Sequence, residues 1–134
     1  MLSKKYALTD EMLTLGHTIL HRIKALRSFD DVKKGDLGGW GGTEENLSHS
    51  DTAWVYESAK VYGNAGVYGF AKVYESAKVY GFARVYESAK VYGDAEVYES
   101  AKVYGDARVY GFAIVYGFVR VNESAKVYGD ASVY

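Results

Sequence analysis

The sequence contains no cysteine and no proline among its 134 residues. The absence of cysteine excludes disulfide bonds and thiolate metal ligands and leaves the redox compartment open. The net charge of −1 gives no general bias towards nucleic acid or an anionic membrane. No apolar run is long enough to cross a bilayer, and the N-terminal residues lack the apolar stretch of a signal peptide. These absences predict a single soluble domain in the cytoplasm, without membrane association.

A six-residue unit repeats from Ala53 to Tyr134. Each unit consists of a small residue, a polar residue, Val, Tyr and a pair of turn residues. Val recurs at every sixth position without interruption, and Ala precedes each Val by two positions except where Val119 stands. Tyr follows each Val except where Asn122 stands. A register this strict indicates that the repeat is the fold.

The six-residue period predicts β-structure, because six is not a multiple of the 3.6 residues of a helical turn. Ala and Val are two positions apart and therefore share one face of a strand, while the residue between them and the Tyr point to the other face. Gly, Glu, Asp, Ser or Asn then fill the corner. Stacked coils of such units pair each short strand with its neighbours and bury an interior of Ala and Val.

The unit Val-Tyr-Gly-Asp-Ala-Lys is similar to the hexapeptide repeat of left-handed β-helix proteins. This resemblance implies an all-β fold, a single-stranded left-handed triangular β-helix with three units, or about 18 residues, in each of four to five coils. The earlier part of the chain resembles the leader of a bacteriophage and prophage β-helix group, often labelled polymer-forming or acyltransferase-like on fold alone. The segments that carry this resemblance are Lys5–Glu11, Arg22–Leu26, Lys34–Trp40, Asn46–His49 and Ala53–Tyr56. It implies a protein of the bacterial host cytoplasm.

A two-sided coil, with two units in each turn, is the alternative, because the corner pairs Gly-Phe and Glu-Ser alternate with that period. With two units per coil, Glu75, Glu87 and Glu99 would stack in one column about 4.8 Å apart and repel one another. With three units per coil, only one pair of glutamates remains adjacent. Charge therefore favours three sides, and a two-sided interior of Ala and Val would also be thin.

Residues 1–46 differ from the rest and are predicted to form an N-terminal cap with an irregular first coil, followed by the regular β-helix over 47–134 in the same structural domain. A cap is needed because the end of a solenoid exposes unpaired backbone groups and apolar core.

Within the cap, Met12–Leu15 and Thr18–Leu26 flank Gly16-His17 and predict a β-hairpin. A helix over 18–28 is the competing interpretation. The segment Gly35–Gly42 is predicted to be too rich in glycine for a helix or a regular strand.

Catalytic chemistry finds little support in the residues. Hexapeptide β-helix acyltransferases, as the family is known, use a His on a coil as general base and bind a coenzyme A derivative between coils. This chain has only His17, His21 and His49, all outside the regular repeat. His49 is the one plausible base, and a hydrogen bond in the cap or a turn is its alternative role. We expect a non-enzyme without catalytic, cofactor-binding or metal-binding residues.

Tyr and basic residues align in columns when each coil has three units. Stacked Tyr rings would shield the backbone and stiffen the rod, or else provide an aromatic surface for a partner. The repeat carries nine basic and nine acidic residues, so cross-coil ion pairs are expected and nucleic-acid binding is not. The basic columns are Lys72, Lys90, Arg108 and Lys126 on one face, and Arg84, Lys102 and Arg120 on another.

Several rules of the repeat break within one coil. Ile114 occupies an outward position that is otherwise mainly Lys, Arg or Glu, and aromatic residues take the corners on either side of it. The sequence also stops in mid-repeat, which predicts an open strand edge. The predicted interface comprises Tyr110, Phe112, Ile114, Tyr116, Phe118, Val119, Tyr128, Val133 and Tyr134.

These features predict a rigid protein-binding scaffold that self-associates through its C-terminal coils. A dimer is favoured and a trimer is possible, since a cap at the other end opposes fibre growth. Two alternatives stay open: an inhibitor that binds a host defence protein, of the anti-CRISPR or anti-restriction type, and a relic of a hexapeptide acyltransferase.

Overall fold

Residues 4–134 are described by a computed structural model, and they build three sheets around a core of Ala and Val. The chain enters through a hairpin of β1 (Tyr6–Leu15) and β2 (Thr18–Ala25), which pair antiparallel. Gly16 turns between them with a φ of +62°, a conformation that glycine adopts without steric cost. The predicted hairpin is confirmed, and the helix over 18–28 is wrong.

Strand β3 (Leu37–Gly41) corrects part of the prediction for the glycine-rich segment, because these residues do form a strand, which pairs antiparallel with β2. The strand is irregular, as predicted, since three of its steps, from Leu37 to Trp40, lie opposite the two steps from Arg22 to Lys24. The glycines serve close packing here. A Cβ on Gly38 would lie 2.6 Å from the Val55 carbonyl oxygen, and one on Gly39 would lie 2.5 Å from the Ala59 carbonyl oxygen. Only glycine allows β3 to approach the first coil so closely. A short 3-10 helix, Glu44–Asn46, follows.

The repeat forms a series of two-residue strands separated by tight corners. They are β4 (Trp54–Val55), β5 (Lys60–Val61), β6 (Gly66–Val67), β7 (Lys72–Val73), β8 (Lys78–Val79), β9 (Arg84–Val85), β10 (Lys90–Val91), β11 (Glu96–Val97), β12 (Lys102–Val103), β13 (Arg108–Val109), β14 (Ile114–Val115), β15 (Arg120–Val121), β16 (Lys126–Val127) and β17 (Ser132–Val133).

Each strand pairs in parallel with the strand three units away, which gives the solenoid three sides. Side one has the order β1-β2-β3-β5-β8-β11-β14-β17, side two β4-β7-β10-β13-β16, and side three β6-β9-β12-β15. On side two, for example, Val91 lies between Val73 and Val109. Each coil has about 18 residues, and the solenoid makes about five turns. The three-sided coil is confirmed and the two-sided alternative is wrong.

The first coil is longer than the others. Gly41 pairs with Val61 and Leu47 bridges to Val67, so each of these offsets exceeds that of the later coils by two positions. The two extra residues lie between Leu47 and Val55, in the loop that contains His49. From Val55 onward the six-residue spacing is strict. The proposed boundary between cap and repeat near residue 47 stays a prediction.

Candidate protein-interaction surfaces

An apolar stripe crosses side one at β14. Ile114 and Tyr116 alternate with the buried Ala113 and Val115 and therefore lie on the outer side, while Phe112 and Phe118 stand at the corners on either side of the strand. We call these four residues the aromatic stripe. Phe112 is 63% exposed and Phe118 is 90% exposed. Along the solenoid axis, Ile114 lies between Glu96 and Ser132. Water therefore contacts a row of large apolar groups at this one coil.

The other residues of the predicted interface do not all join the stripe. Tyr134 stacks on Tyr116 with ring centroids 5.3 Å apart and extends the stripe along the axis. Tyr110 and Tyr128 stack on each other, 5.5 Å apart, in the ladder of side two. Val119 and Val133 occupy inward positions and pack against the core. Val119 takes the position of the repeat's Ala, and Val133 takes that of its Val. Both positions point inward in the repeat, so the sequence already indicates this direction.

The tyrosines form three continuous ladders. Successive rings of the regular coils lie almost parallel; Tyr74 and Tyr92, for example, have centroids 4.6 Å apart and planes 5° apart. The expected ladder packing is confirmed. In the third ladder, Asn122 replaces a ring and its Nδ2 donates to the Tyr104 hydroxyl at 3.2 Å. Because each ring covers the faces of its neighbours, the ladders present ring edges and hydroxyl groups to the solvent.

Basic residues form the predicted columns on sides two and three, in register from strand to strand. The prediction of ion pairs between coils is wrong. Among residues 4–134, only one Lys or Arg of the repeat forms an ion pair: Lys72 Nζ lies 3.1 Å from Asp30 Oδ2, in the cap. Most acidic residues of the repeat stand at the corners rather than on the strand faces. Glu96, which does stand on a face, accepts a hydrogen bond from the Tyr80 hydroxyl at 3.0 Å. Burial and that bond raise the pKa of Tyr80.

An acidic loop of the cap reaches down to the top of side two. Besides the Asp30–Lys72 pair, the Tyr56 hydroxyl donates to Asp31 Oδ1 at 2.8 Å. Tyr56 is turned out of its ladder by this contact, and its plane stands at 83° to that of Tyr74. The hydrogen bond from Lys72 lowers the pKa of Asp30. Sequence reasoning missed this contact, although a carboxylate pair in a turn was a visible signal.

The contact leaves an open recess of about 280 Å³ directly below it. Its walls are Asp31, Tyr56, Glu57, Lys72, Tyr74 and Lys90. The recess thus connects the paired cation of side two to the next cation of the same column.

The comparisons with known proteins agree with this geometry. The family model described as YdcK Beta solenoid repeat matches residues 101–117, which is about one coil. A search of curated proteins finds no match. The protein is a β-solenoid. The short match supports the repeat architecture, while the hexapeptide family and the phage group remain resemblances.

His49 has a structural role in the cap of the solenoid. Its Nδ1 accepts a hydrogen bond from the Lys5 backbone N–H at 3.1 Å, and its ring stacks on Tyr6 with centroids 4.5 Å apart. Arg27 donates to its carbonyl oxygen at 2.7 Å. Burial lowers the pKa of His49, so the neutral acceptor form is favoured. The predicted cap hydrogen bond is confirmed.

Lys5 is fully buried beside this histidine. Its Nζ donates to the carbonyl oxygens of Ala53, at 2.6 Å, and Ser50, at 3.4 Å, and lies 5.1 Å from the centre of the Phe29 ring. Burial, together with the nearby positive charge of Arg27, lowers the pKa of Lys5 to about 8. The loop with the two extra residues is therefore held by a side chain from the N-terminal segment.

Residues 4–134 lack two further kinds of feature. These residues contain no group of three or more His, Cys, Asp or Glu side chains placed to hold a metal ion. Nor do they include a helix with the length and hydropathy needed to cross a membrane.

Proposed function

We propose that the protein is a non-catalytic scaffold that self-associates through the aromatic stripe. The proposal rests mainly on the exposure of Phe112 and Phe118 on either side of Ile114. Ile114 itself occupies a position that is charged in most other units of the repeat. Contiguous exposed apolar groups of this kind mark interaction sites. The stripe lies on a rod whose strands and tyrosines are in register, so it is presented on a rigid surface.

A second copy fits the stripe with two-fold symmetry. In a two-fold contact each residue meets a patch of the same surface. With the axis along β14, Ile114 packs on its own counterpart, and Glu96 comes opposite Ser132 of the second copy, because these residues flank Ile114 along the solenoid. No like charges oppose each other across those three rungs. This arrangement supports a closed dimer.

The proposal of a non-catalytic role rests on the use of His49. Its Nδ1 is occupied by a backbone hydrogen bond and its ring is stacked on Tyr6, which suits a structural residue. The acyltransferase alternative needs a base with access to a substrate. Binding of coenzyme A in a calorimetric titration would contradict our proposal.

A host protein is the other occupant that the stripe could take. The resemblance to phage β-helix proteins implies such a partner, including a host defence protein that the solenoid would inhibit. The same apolar side chains would contact a second copy or a host protein, so only the experiment distinguishes the two partners.

The test compares the molar masses of three proteins by light scattering. We expect the wild type to be dimeric and Ile114→Lys to be monomeric, because two lysines would face each other in the contact. Phe82→Ser is the matched control: Phe82 is 60% exposed at the same corner as Phe118, two coils away, and lies outside the stripe. Circular dichroism should show the same fold for all three.

A monomeric wild type, or an Ile114→Lys protein with the mass of the wild type, would contradict self-association. If the wild type is monomeric but captures a host protein from a bacterial lysate and Ile114→Lys does not, the stripe binds that protein and the second copy is ruled out.

A further inference from the structure

We infer that side two binds an acidic, extended segment of a partner protein along its column of cations. This surface is separate from the aromatic stripe, and the inference does not depend on the proposed function. It rests on a contact within the chain itself, on the repetition of that contact's donors, and on the charge of the column.

The acidic loop of the cap shows the chemistry. Asp30 pairs with Lys72 Nζ at 3.1 Å, and Asp31 accepts from the Tyr56 hydroxyl at 2.8 Å. Two neighbouring carboxylates are thus held by one cation and one phenol, with the Lys72 Nζ 6.0 Å from the centre of the Tyr56 ring. We call such a Lys or Arg with the Tyr of the coil above a carboxylate rung.

The same pair of residue types recurs at every coil below, with tyrosines that stack parallel where Tyr56 is turned aside. Moving one coil at a time from Tyr56 and Lys72, along the strand pairing of side two, gives further rungs of the same composition. They are Tyr74 with Lys90, Tyr92 with Arg108, and Tyr110 with Lys126. The recess below the acidic loop already connects the first rung to the second, since Lys72, Tyr74 and Lys90 line it together.

The lower cations have no carboxylate partner of their own. In the part of the chain from residue 4 onward, Lys90, Arg108 and Lys126 have no ion pair within 4.0 Å. Their strands are about 4.8 Å apart and in register, which keeps the like charges of the column close enough to repel. An acidic segment removes that repulsion as it binds, as Asp30 does at the first rung.

The geometry favours a peptide over nucleic acid. Rings of this ladder stack 4.6 Å and 4.9 Å apart, so the ring faces between Tyr74 and Tyr110 are covered and a base cannot stack there. Corner carboxylates such as Glu75 and Glu87 flank the column and confine the attractive surface to one row. An extended chain places alternate side chains about 6.8 Å apart on one face, and flexible Lys and Arg side chains accommodate the difference from the rung spacing.

The experiment titrates the full chain with a fluorescent peptide of about eight glutamates and measures anisotropy at low salt. We expect Lys90→Gln combined with Arg108→Gln to weaken binding about tenfold, a loss expected for two charge-assisted contacts. The matched control is Lys102→Gln with Arg120→Gln on side three, where Lys and Arg also stand below Tyr residues but, within residues 4–134, no carboxylate of the chain pairs with them. This variant should weaken binding much less than the side-two variant. Circular dichroism verifies that both variants fold.

A second variant tests the internal competitor. Asp30→Asn with Asp31→Asn frees the first rung, and we expect it to bind the glutamate peptide several-fold more tightly than the wild type. Unchanged or weaker binding would overturn the inference, because the cap loop would then not occupy the same site.

Two other results would also overturn it. One is equal loss in the side-two and side-three variants, which would indicate only non-specific charge attraction. The other is tighter binding of a single-stranded oligonucleotide with the same dependence on Lys90 and Arg108, which would make nucleic acid the occupant. Ile114→Lys should leave peptide binding unchanged, so failure here is distinct from failure of self-association.

Discussion

The cap and the repeat are stabilised by different kinds of contact. In the cap, polar side chains make contacts that occur only once. Tyr6 and Asn46 bond to backbone carbonyl groups, and Arg22 donates to the carbonyl oxygens of Gly38 and Glu57 while lying 4.2 Å above the Trp40 ring. In the repeat, successive coils make a common set of backbone bonds, around an Ala and Val core that is almost entirely inaccessible from Ala53 to Val115.

This difference implies that damage has different consequences in the two regions. Loss of one contact between coils of the repeat leaves equivalent contacts above and below it. The free energy of unfolding of such arrays is close to a sum of terms for each repeat and for its contacts with its neighbours. Loss of a cap contact has no such substitute, because the side chain involved occurs once. Substitutions that pair one residue of each region therefore test the comparison.

The largest effect is expected for Trp54→Ala. Trp54 takes the position of an outward cation in β4, yet it is only 1% exposed, because Phe29 and Tyr6 pack on it with ring centroids 5.2 Å and 6.2 Å away. We expect a loss of about 3–5 kcal/mol in the free energy of unfolding, measured by urea denaturation. Lys90→Ala, two coils below in the same column and without an ion pair to the cap loop, should cost about 1 kcal/mol or less.

A loss at Trp54 as small as that at Lys90 would contradict the view that the cap is joined to the repeat by unique contacts. If only the cap unfolds in the Trp54 variant, a two-step transition by tyrosine and tryptophan fluorescence should reveal it.

Trp54 also shows what the sequence can predict. The strict Val register is enough for a three-sided solenoid, because stacking is the only way for such short units to bury their apolar face. An aromatic residue where other coils have Lys was a visible sign that something covers side two at its first rung. What covers it could not be predicted, since Phe29 and Tyr6 are distant in sequence and belong to no repeat.

The two candidate surfaces also differ in how far the sequence predicts them. The residues of the aromatic stripe could be predicted, because the alternation in the repeat tells which side chains point outward. Asp30 and Lys72 are brought together only by the path of the cap loop, which no periodicity encodes. The burial of Lys5 was likewise hidden, because an isolated lysine near a chain terminus is usually solvated.

An intermediate effect is expected from pH through Lys5. Its pKa in the folded protein is about 8, below the ordinary value of 10.5, so the unfolded chain binds the proton more tightly. Stability should therefore rise as pH increases from 7 to 9, by about 1 kcal/mol. Urea denaturation at these two values measures it. Above pH 9 the ionisation of tyrosines in the unfolded chain opposes the rise, because burial raises the pKa of Tyr6, Tyr56 and Tyr80 in the folded protein.

Lys5→Met should remove this rise. The lowered pKa of His49 acts with the same sign at lower pH, so stability should also fall as pH decreases through about 6.5, and His49→Gln should weaken that dependence. A wild type whose stability is flat from pH 7 to 9 would show that Lys5 is more solvated than its contacts indicate.

The smallest change in stability is expected at two residues, one in each region, that share the same backbone conformation. Glu75, at a corner of the repeat, has a φ of +57°, and Asp30, in the cap loop, has a φ of +46°. Both lie in the left-handed region, where a side chain costs about 1 kcal/mol relative to glycine. Glu75→Gly should therefore raise the free energy of unfolding by up to about 1 kcal/mol, and the relief of its proximity to Glu57 acts in the same direction.

Asp30→Gly should not give this gain, because it also removes the ion pair with Lys72. The relief of backbone strain and the lost pair are each worth about 1 kcal/mol or less, so we expect a change close to zero or a small loss. Thermal denaturation of both variants, with Ser76→Gly as a control at a corner position of negative φ, measures the difference. A gain at Asp30 equal to that at Glu75 would mean that the cap loop contributes no more than an ordinary corner, and the contrast between the two regions would fail at that position.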